Sequence, residues 1–116
     1  MKITNNGITV YPTRLEVVCE GEPIPLTMAN FRFLLIFMYS PDDVIEPDQL
    51  YKKMHGMTST PAAMKNHMSV LVNALRNIFG KEVVITIPKV GYLMPRGDDY
   101  ELDLSLSEKD FLHEDL

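Results

Sequence analysis

The sequence predicts an α+β domain, and three observations carry that prediction. Short runs rich in β-branched and apolar residues occupy residues 8–26. Three segments with apolar residues at helical spacing follow between residues 28 and 79. Two short apolar runs on either side of Pro88-Lys89-Val90 then close the pattern as a β-hairpin. With 116 residues, 46% hydrophobic and 23% charged, the chain has ordinary globular composition. A chain of this length hides roughly two-thirds of its unfolded surface on folding, so it needs no disulfide or metal to hold it.

Ile8-Thr9-Val10-Tyr11 and Leu15-Glu16-Val17-Val18-Cys19 read as strands, with turns at Pro12-Thr13-Arg14 and Glu20-Gly21-Glu22. Ile24-Pro25-Leu26 suits a third, short edge strand, where proline is tolerated. Thr27 is a good N-cap for a first helix over 28–39. Its stripe is Phe31, Leu34, Leu35 and Met38, widened by Phe33 and Phe37. Ser40-Pro41-Asp42-Asp43 stops it. Pro47 then suits the first turn of a second helix over 47–55, which ends at Gly56. After a polar loop, Thr60 caps a third helix with Pro61 at its first position, running to Phe79 and stopping at Gly80. Met64, Met68, Leu71, Leu75 and Ile78 are expected to face the core. Lys65, Asn66, Ser69, Val70, Asn73, Arg76 and Asn77 are expected to face outward. Val83 to Ile87 reads as a strand, Pro88-Lys89-Val90 as a turn, and Gly91 to Met94 as the return strand.

Charge is distributed unevenly. The net charge is −5, yet residues 1–97 carry ten Lys and Arg against eight Asp and Glu, while residues 98–116 carry Lys109 against eight acids. A mildly basic body, 1–97, therefore precedes an acidic tail, 98–116. In the tail Tyr100, Leu102, Leu104 and Leu106 alternate like a strand, and Ser107 suits the cap of a short helix bearing Phe111 and Leu112. That alternation favours packing over the two other roles open to the tail, a linker and a mask or partner surface for the basic face. The single cysteine, Cys19, sits in a β-like run and reads as a small core hydrophobe, and its isolation fits a reducing, cytoplasmic compartment. The N-terminus lacks the apolar core of a signal peptide, and the longest apolar run, Phe33 to Tyr39, is far short of the roughly 20 residues of a membrane span. No membrane contact is expected of this segment itself.

Four stretches resemble one family. Leu26-Thr27-Met28-Ala29-Asn30-Phe31-Arg32-Phe33-Leu34-Leu35 resembles the "L-T-x-x-E-F-x-L-L" opening of the first helix in OmpR/PhoB and ToxR/CadC-type transcription regulators. Val44-Ile45-Glu46-Pro47-Asp48-Gln49-Leu50 is similar to their "V-V-S-R-E-x-L", and His67-Met68-Ser69-Val70-Leu71 to "H-I-S-R-L". Ile85-Thr86-Ile87-Pro88-Lys89-Val90-Gly91-Tyr92 is similar to the "T-V-P-K/R-x-G-Y" wing in its ToxR/CadC form. Together these cover residues 26–94. The resemblance implies a winged helix-turn-helix with an N-terminal antiparallel β-sheet, three helices and a C-terminal β-hairpin wing. It implies a DNA-binding transcription regulator, or the cytoplasmic DNA-binding domain of a membrane-bound one, with double-stranded DNA as partner. The third helix would enter the major groove and the hairpin would hold the flank.

On that resemblance the candidate DNA-contacting residues are Lys65, Asn66, His67, Ser69, Val70, Asn73 and Arg76 on the third helix, Lys89 at the wing tip, and Lys52 and Lys53 on the second helix. Asn suits adenine and Arg suits guanine in the major groove, and the lysines suit phosphate. His67 aligns with a histidine that contacts phosphate in the family. The sequence also departs from the family. Val70 and Val72 stand where the family's "S-R-L-R" has arginines, and Leu93 stands where the wing usually has one. Three cationic contacts are thereby removed. The valines suit thymine methyls or, with the tail, a second copy or another regulator. That opens the alternative of a protein-interaction module acting as co-regulator or antagonist with weak or no DNA binding.

Catalysis is not expected. The chain has no G-x-S-x-G, no phosphate-cradling glycine loop and no nucleophile–base pair. His55, His67 and His113 have no metal-ligand spacing, so neither a metal site nor a cofactor is expected.

Overall fold

A computed structural model describes residues 1–105. Its elements run β1 (Lys2–Asn5), β2 (Ile8–Tyr11), β3 (Glu16–Cys19), β4 (Glu22–Pro23), α1 (Met28–Tyr39), α2 (Pro47–His55), α3 (Pro61–Phe79), β5 (Ile85–Ile87), β6 (Gly91–Leu93) and β7 (Glu101–Asp103). This is the α+β winged-helix architecture. The described chain divides into two compact units, one built from Met1–Leu26 with residues 96–105, the other from Thr27–Pro95. No helix among the described residues is long and apolar enough to cross a membrane.

The first unit is a five-stranded antiparallel sheet in the order β4-β3-β2-β1-β7. Its buried face follows the period of two: Ile3, Ile8, Val10 and Val17 point one way and lose nearly all exposure. Strands β1 and β2 are joined by Asn6-Gly7 alone, both with positive φ (50° and 79°), the two-residue hairpin link for which Asn-Gly is the preferred pair. Asp99 fastens this turn from outside, because its carboxylate accepts the N–H groups of Asn6 (2.7 Å) and Gly7 (2.8 Å). Those bonds, Gly7's first, hold the Asp99 carboxyl below the usual carboxylate range. Next to it the buried Asn5 side chain accepts the Gly97 N–H at 2.7 Å. The chain is thereby aimed along β1, where β7 pairs Lys2 with Asp103, Ile3 with Leu102 and Thr4 with Glu101.

Two features of this sheet differ from expectation. Strand β1 lies outside the strands expected from the sequence, although the Asn6-Gly7 pair between Ile3 and Ile8 is a hairpin signal. The edge strand expected at Ile24-Pro25-Leu26 lies instead at Glu22–Pro23. Glu20 and Gly21 (φ 50° and 81°) turn the chain at once, so pairing with β3 begins at Glu22. It extends only to the Ile24 N–H on the Val17 carbonyl, since Pro25 has no N–H to continue. Cys19 is half-buried on β3, where burial, reinforced by the Glu20 carboxylate, pushes its thiol up and keeps it protonated. The tail positions Leu106, Ser107, Phe111 and Leu112 lie outside the described residues.

The second unit packs three helices and a hairpin. Helix α1 starts because the Thr27 hydroxyl accepts the Asn30 N–H (3.1 Å). It buries Phe31, Phe33, Leu34, Phe37 and Met38, with Phe33 and Phe37 meeting edge to face at 5.2 Å. Pro47 opens α2, Glu46 N–H donates to the Gln49 side chain (3.3 Å), and left-handed Gly56 (φ 72°) ends it. Thr60 caps α3 through the Ala63 N–H (3.3 Å). Met64, Met68, Leu71, Val72 and Leu75 are buried along α3.

Two positions on α3 differ from expectation. Ile78 is 39% exposed, because it lies in the last turn at the edge of the arc centred on Met64, Met68 and Leu75. Val72 is 1% exposed and belongs to the core, so it cannot touch thymine or a partner. The strand expected from Val83 begins only at Ile85. Val84 is fully buried and gives its carbonyl to a side chain of α3 rather than to a ladder.

Candidate nucleic-acid interface

The hairpin is set against the helices by two anchors. The first is backbone pairing. Ile45, between α1 and α2, donates to the Tyr92 carbonyl (2.8 Å) and accepts from the Tyr92 N–H (3.0 Å), and the Asp42 N–H donates to the Met94 carbonyl (2.8 Å). This approach requires Gly91. A Cβ there would lie 2.3 Å from the Ile45 carbonyl oxygen, which is the physical reason for glycine before tyrosine in the wing motif. The second anchor is Arg76 of α3. Its Nε (3.0 Å) and Nη2 (2.8 Å) both donate to the Val84 carbonyl, and Nη2 also donates to the Thr86 hydroxyl (2.9 Å).

Strands β5 and β6 pair Ile85 with Leu93, Thr86 with Tyr92 and Ile87 with Gly91. Pro88, Lys89 and Val90 form the tip, closed by the Val90 N–H on the Ile87 carbonyl (3.0 Å). Lys89 adopts φ 63°, a left-handed conformation that costs a non-glycine residue roughly 1–2 kcal/mol. It faces α3 across a cleft of about 280 Å³ lined by Pro47, Lys65, Thr86, Ile87, Lys89, Val90, Gly91 and Tyr92. The cleft thus holds two lysines over a largely apolar floor. Neither lysine is in an ion pair among the described residues.

The exposed surface of α3 resolves into three strips. Its outermost line holds Asn66, Val70, Asn73 and Asn77, all exposed, with Val70 at 66%. Toward the wing lie Lys65, Ser69 and Arg76. Toward α2 lies His67, whose ring is 4.9 Å from His55 and 5.8 Å from Tyr51, while Tyr51 and His55 are 4.5 Å apart. Sequence spacing alone gave no hint of this ring cluster, because His55 and His67 approach only across the turn between α2 and α3. Among the described residues, no group of three or more His, Cys, Asp or Glu side chains is arranged to hold a metal ion.

The structure therefore brings Lys65, Asn66, His67, Ser69, Val70, Asn73 and Lys89 to one continuous surface of the second unit. Arg76 is adjacent, but its guanidinium is committed to the wing. Lys52 and Lys53 are exposed on α2 and line a separate hollow of about 680 Å³ with Ser40, Asp43, Val44, Ile45 and Gln49.

Comparison with known proteins agrees with this geometry. Residues 21–94 match the family described as transcriptional regulatory protein, C terminal. No curated protein matches the sequence. Among solved structures, the DNA-binding domain of CpxR from E. coli is similar with TM-score 0.73 at 21% identity, over 83% of this chain and 97% of that one. The Klebsiella pneumoniae RstA DNA-binding domain, in complex with the RstA box, is similar with TM-score 0.73 at 23% identity, over 81% and 96%. The DNA-binding domain of E. coli CadC is similar with TM-score 0.64 at 18% identity, over 83% and 92%. The chain belongs to the family of transcriptional regulatory protein C-terminal domains, and its fold is the winged helix of the OmpR/PhoB type.

Proposed function

We propose that α3 occupies the major groove of double-stranded DNA while the β5–β6 wing grips the flanking backbone, as the contact surface of a DNA-binding transcriptional regulator. One observation carries this reading: unpaired Lys65 and Lys89 face each other across the helix–wing cleft, beside an outward α3 strip free of acidic residues. Phosphates on either side of a groove are the ligands that such a pair suits. Asn66, Ser69, Val70 and Asn73 are then the base-facing residues, and His67 lies at the border toward α2. Lys52 and Lys53 are assigned to phosphate outside the groove. Family membership and the RstA–DNA complex support the assignment. A cytoplasmic location goes with it. No catalytic role is part of this reading.

The alternative to this reading is a protein-interaction module with weak or no DNA binding, in which Val70 and the acidic segment from residue 98 would meet a second copy or another regulator. Burial of Val72 halves the apolar patch that such a contact would use.

Fluorescence anisotropy on duplex DNA across a salt series tests the proposal. Each phosphate contact contributes roughly −0.9 to the slope of log K against log salt. Lys65→Ala and Lys89→Ala should each flatten the slope by about that amount, with melting temperatures unchanged. Unchanged slopes in both variants would withdraw the cleft as a phosphate site.

A further inference from the structure

The exposed strip of α3 is made of three asparagines and one valine. Asn66, Val70, Asn73 and Asn77 fall within about 60° of arc at 100° per residue, opposite the buried Met64, Met68 and Leu75. Three of the four are asparagines. No hydrogen bond within the protein holds the side chain of Asn66, Asn73 or Asn77 among the described residues. The fourth, Val70, is 66% exposed. No arginine is available to this strip. Arg76, the single arginine in the sequence of α3, donates three hydrogen bonds to Val84 and Thr86 of the chain entering the wing. The lysine of α3, Lys65, lies to the side, in the cleft with Lys89.

Base edges in the major groove differ in what they ask of a side chain. Guanine presents two acceptors, which arginine or lysine satisfies. Adenine presents an acceptor and a donor, which an asparagine amide matches with both of its ends, and thymine presents a methyl group that an apolar side chain covers. A strip of asparagines around one exposed valine therefore matches adenine and thymine and offers guanine no cation.

We infer that α3 selects A·T base pairs through Asn66, Asn73 and Asn77, with Val70 on a thymine methyl, and that Arg76 positions the wing instead of reading guanine. This inference rests on the major-groove reading above.

The test is selection of binding sites by the full chain from a random duplex pool. The expected core is a run of A·T pairs, and replacing one of these with G·C should weaken binding roughly 5- to 150-fold. Replacing the contacted thymine by uracil, which removes only the methyl group, should weaken it about fourfold. Val70→Ala should abolish that difference, and Val70→Arg should move the preference at this position toward guanine. A core led by G·C pairs overturns the inference while leaving DNA binding intact. So does salt-sensitive duplex binding with no enriched core, or indifference to uracil. Absence of salt-sensitive duplex binding overturns both this inference and the reading on which it rests.

Discussion

Arg76→Ala separates two roles that a surface arginine on α3 can have. In a base-reading role its removal weakens DNA binding and leaves stability alone. The geometry predicts the opposite emphasis. Three hydrogen bonds from a charged donor are lost, two of them converging on one carbonyl of the fully buried Val84. A hydrogen bond to a charged group contributes about 1.5–3 kcal/mol. Partial exposure, and the sharing of one acceptor, place the total near the low end, at about 2–3 kcal/mol. For a domain of this size that corresponds to a fall in melting temperature of roughly 10 °C. Amide exchange should also quicken selectively at Ile85 and Ile87 and across at Leu93. Arg76→Lys should be intermediate, since one ammonium cannot reproduce the fork of donors. Calorimetry with amide exchange decides the matter. Unchanged melting and unchanged wing exchange, together with lost DNA affinity, would refute the anchor and return Arg76 to the base-reading set.

Gly91→Ala places a Cβ against the Ile45 carbonyl and should break the paired hydrogen bonds between Ile45 and Tyr92, costing about 2 kcal/mol and visible as faster exchange of both amides. Phe33→Ala removes a fully buried ring and should cost about 3–5 kcal/mol in denaturant unfolding; a loss below 1 kcal/mol would contradict the assigned core. The Asp99 carboxyl is held below its usual value in the fold, so its contribution is complete above the ordinary carboxylate range and disappears as pH falls through the lowered value. Protection of the Asn6 and Gly7 amides should therefore persist through the ordinary carboxylate range and fall away only below it, and Asp99→Ala should remove it at neutral pH as well.

The second unit was largely legible from the sequence because its signals are local. Thr27, Thr60 and Pro61 mark helix starts, Gly56 and Gly80 mark stops, and the spacing of Met64, Met68 and Leu75 defines a face; α1, α2 and α3 span the residues that these signals give. What escaped depends on contacts between distant residues. Strand β1 is four residues long, and its pairing with β7 is fixed by Asp99 and Gly97 reaching Asn5, Asn6 and Gly7, more than 90 residues away. The fate of Arg76 depends on the chain entering the wing: helical periodicity places it on the side of α3, and the Val84 carbonyl makes it an anchor. Val72 lies at the margin of the buried arc and is fully enclosed only in the folded unit. The candidate surface was legible as a list of polar residues, but not as three strips with different neighbours.

The central claim, that the outward strip of α3 faces bases in the major groove, is tested most directly by site-directed cross-linking. With Cys19→Ser as background, a photoreactive group is placed on Asn73→Cys. The account predicts cross-links from position 73 to base edges within the bound site, lost when excess unlabelled site is added. Binding without a cross-link from position 73, or cross-links confined to the sugar–phosphate backbone, would contradict it.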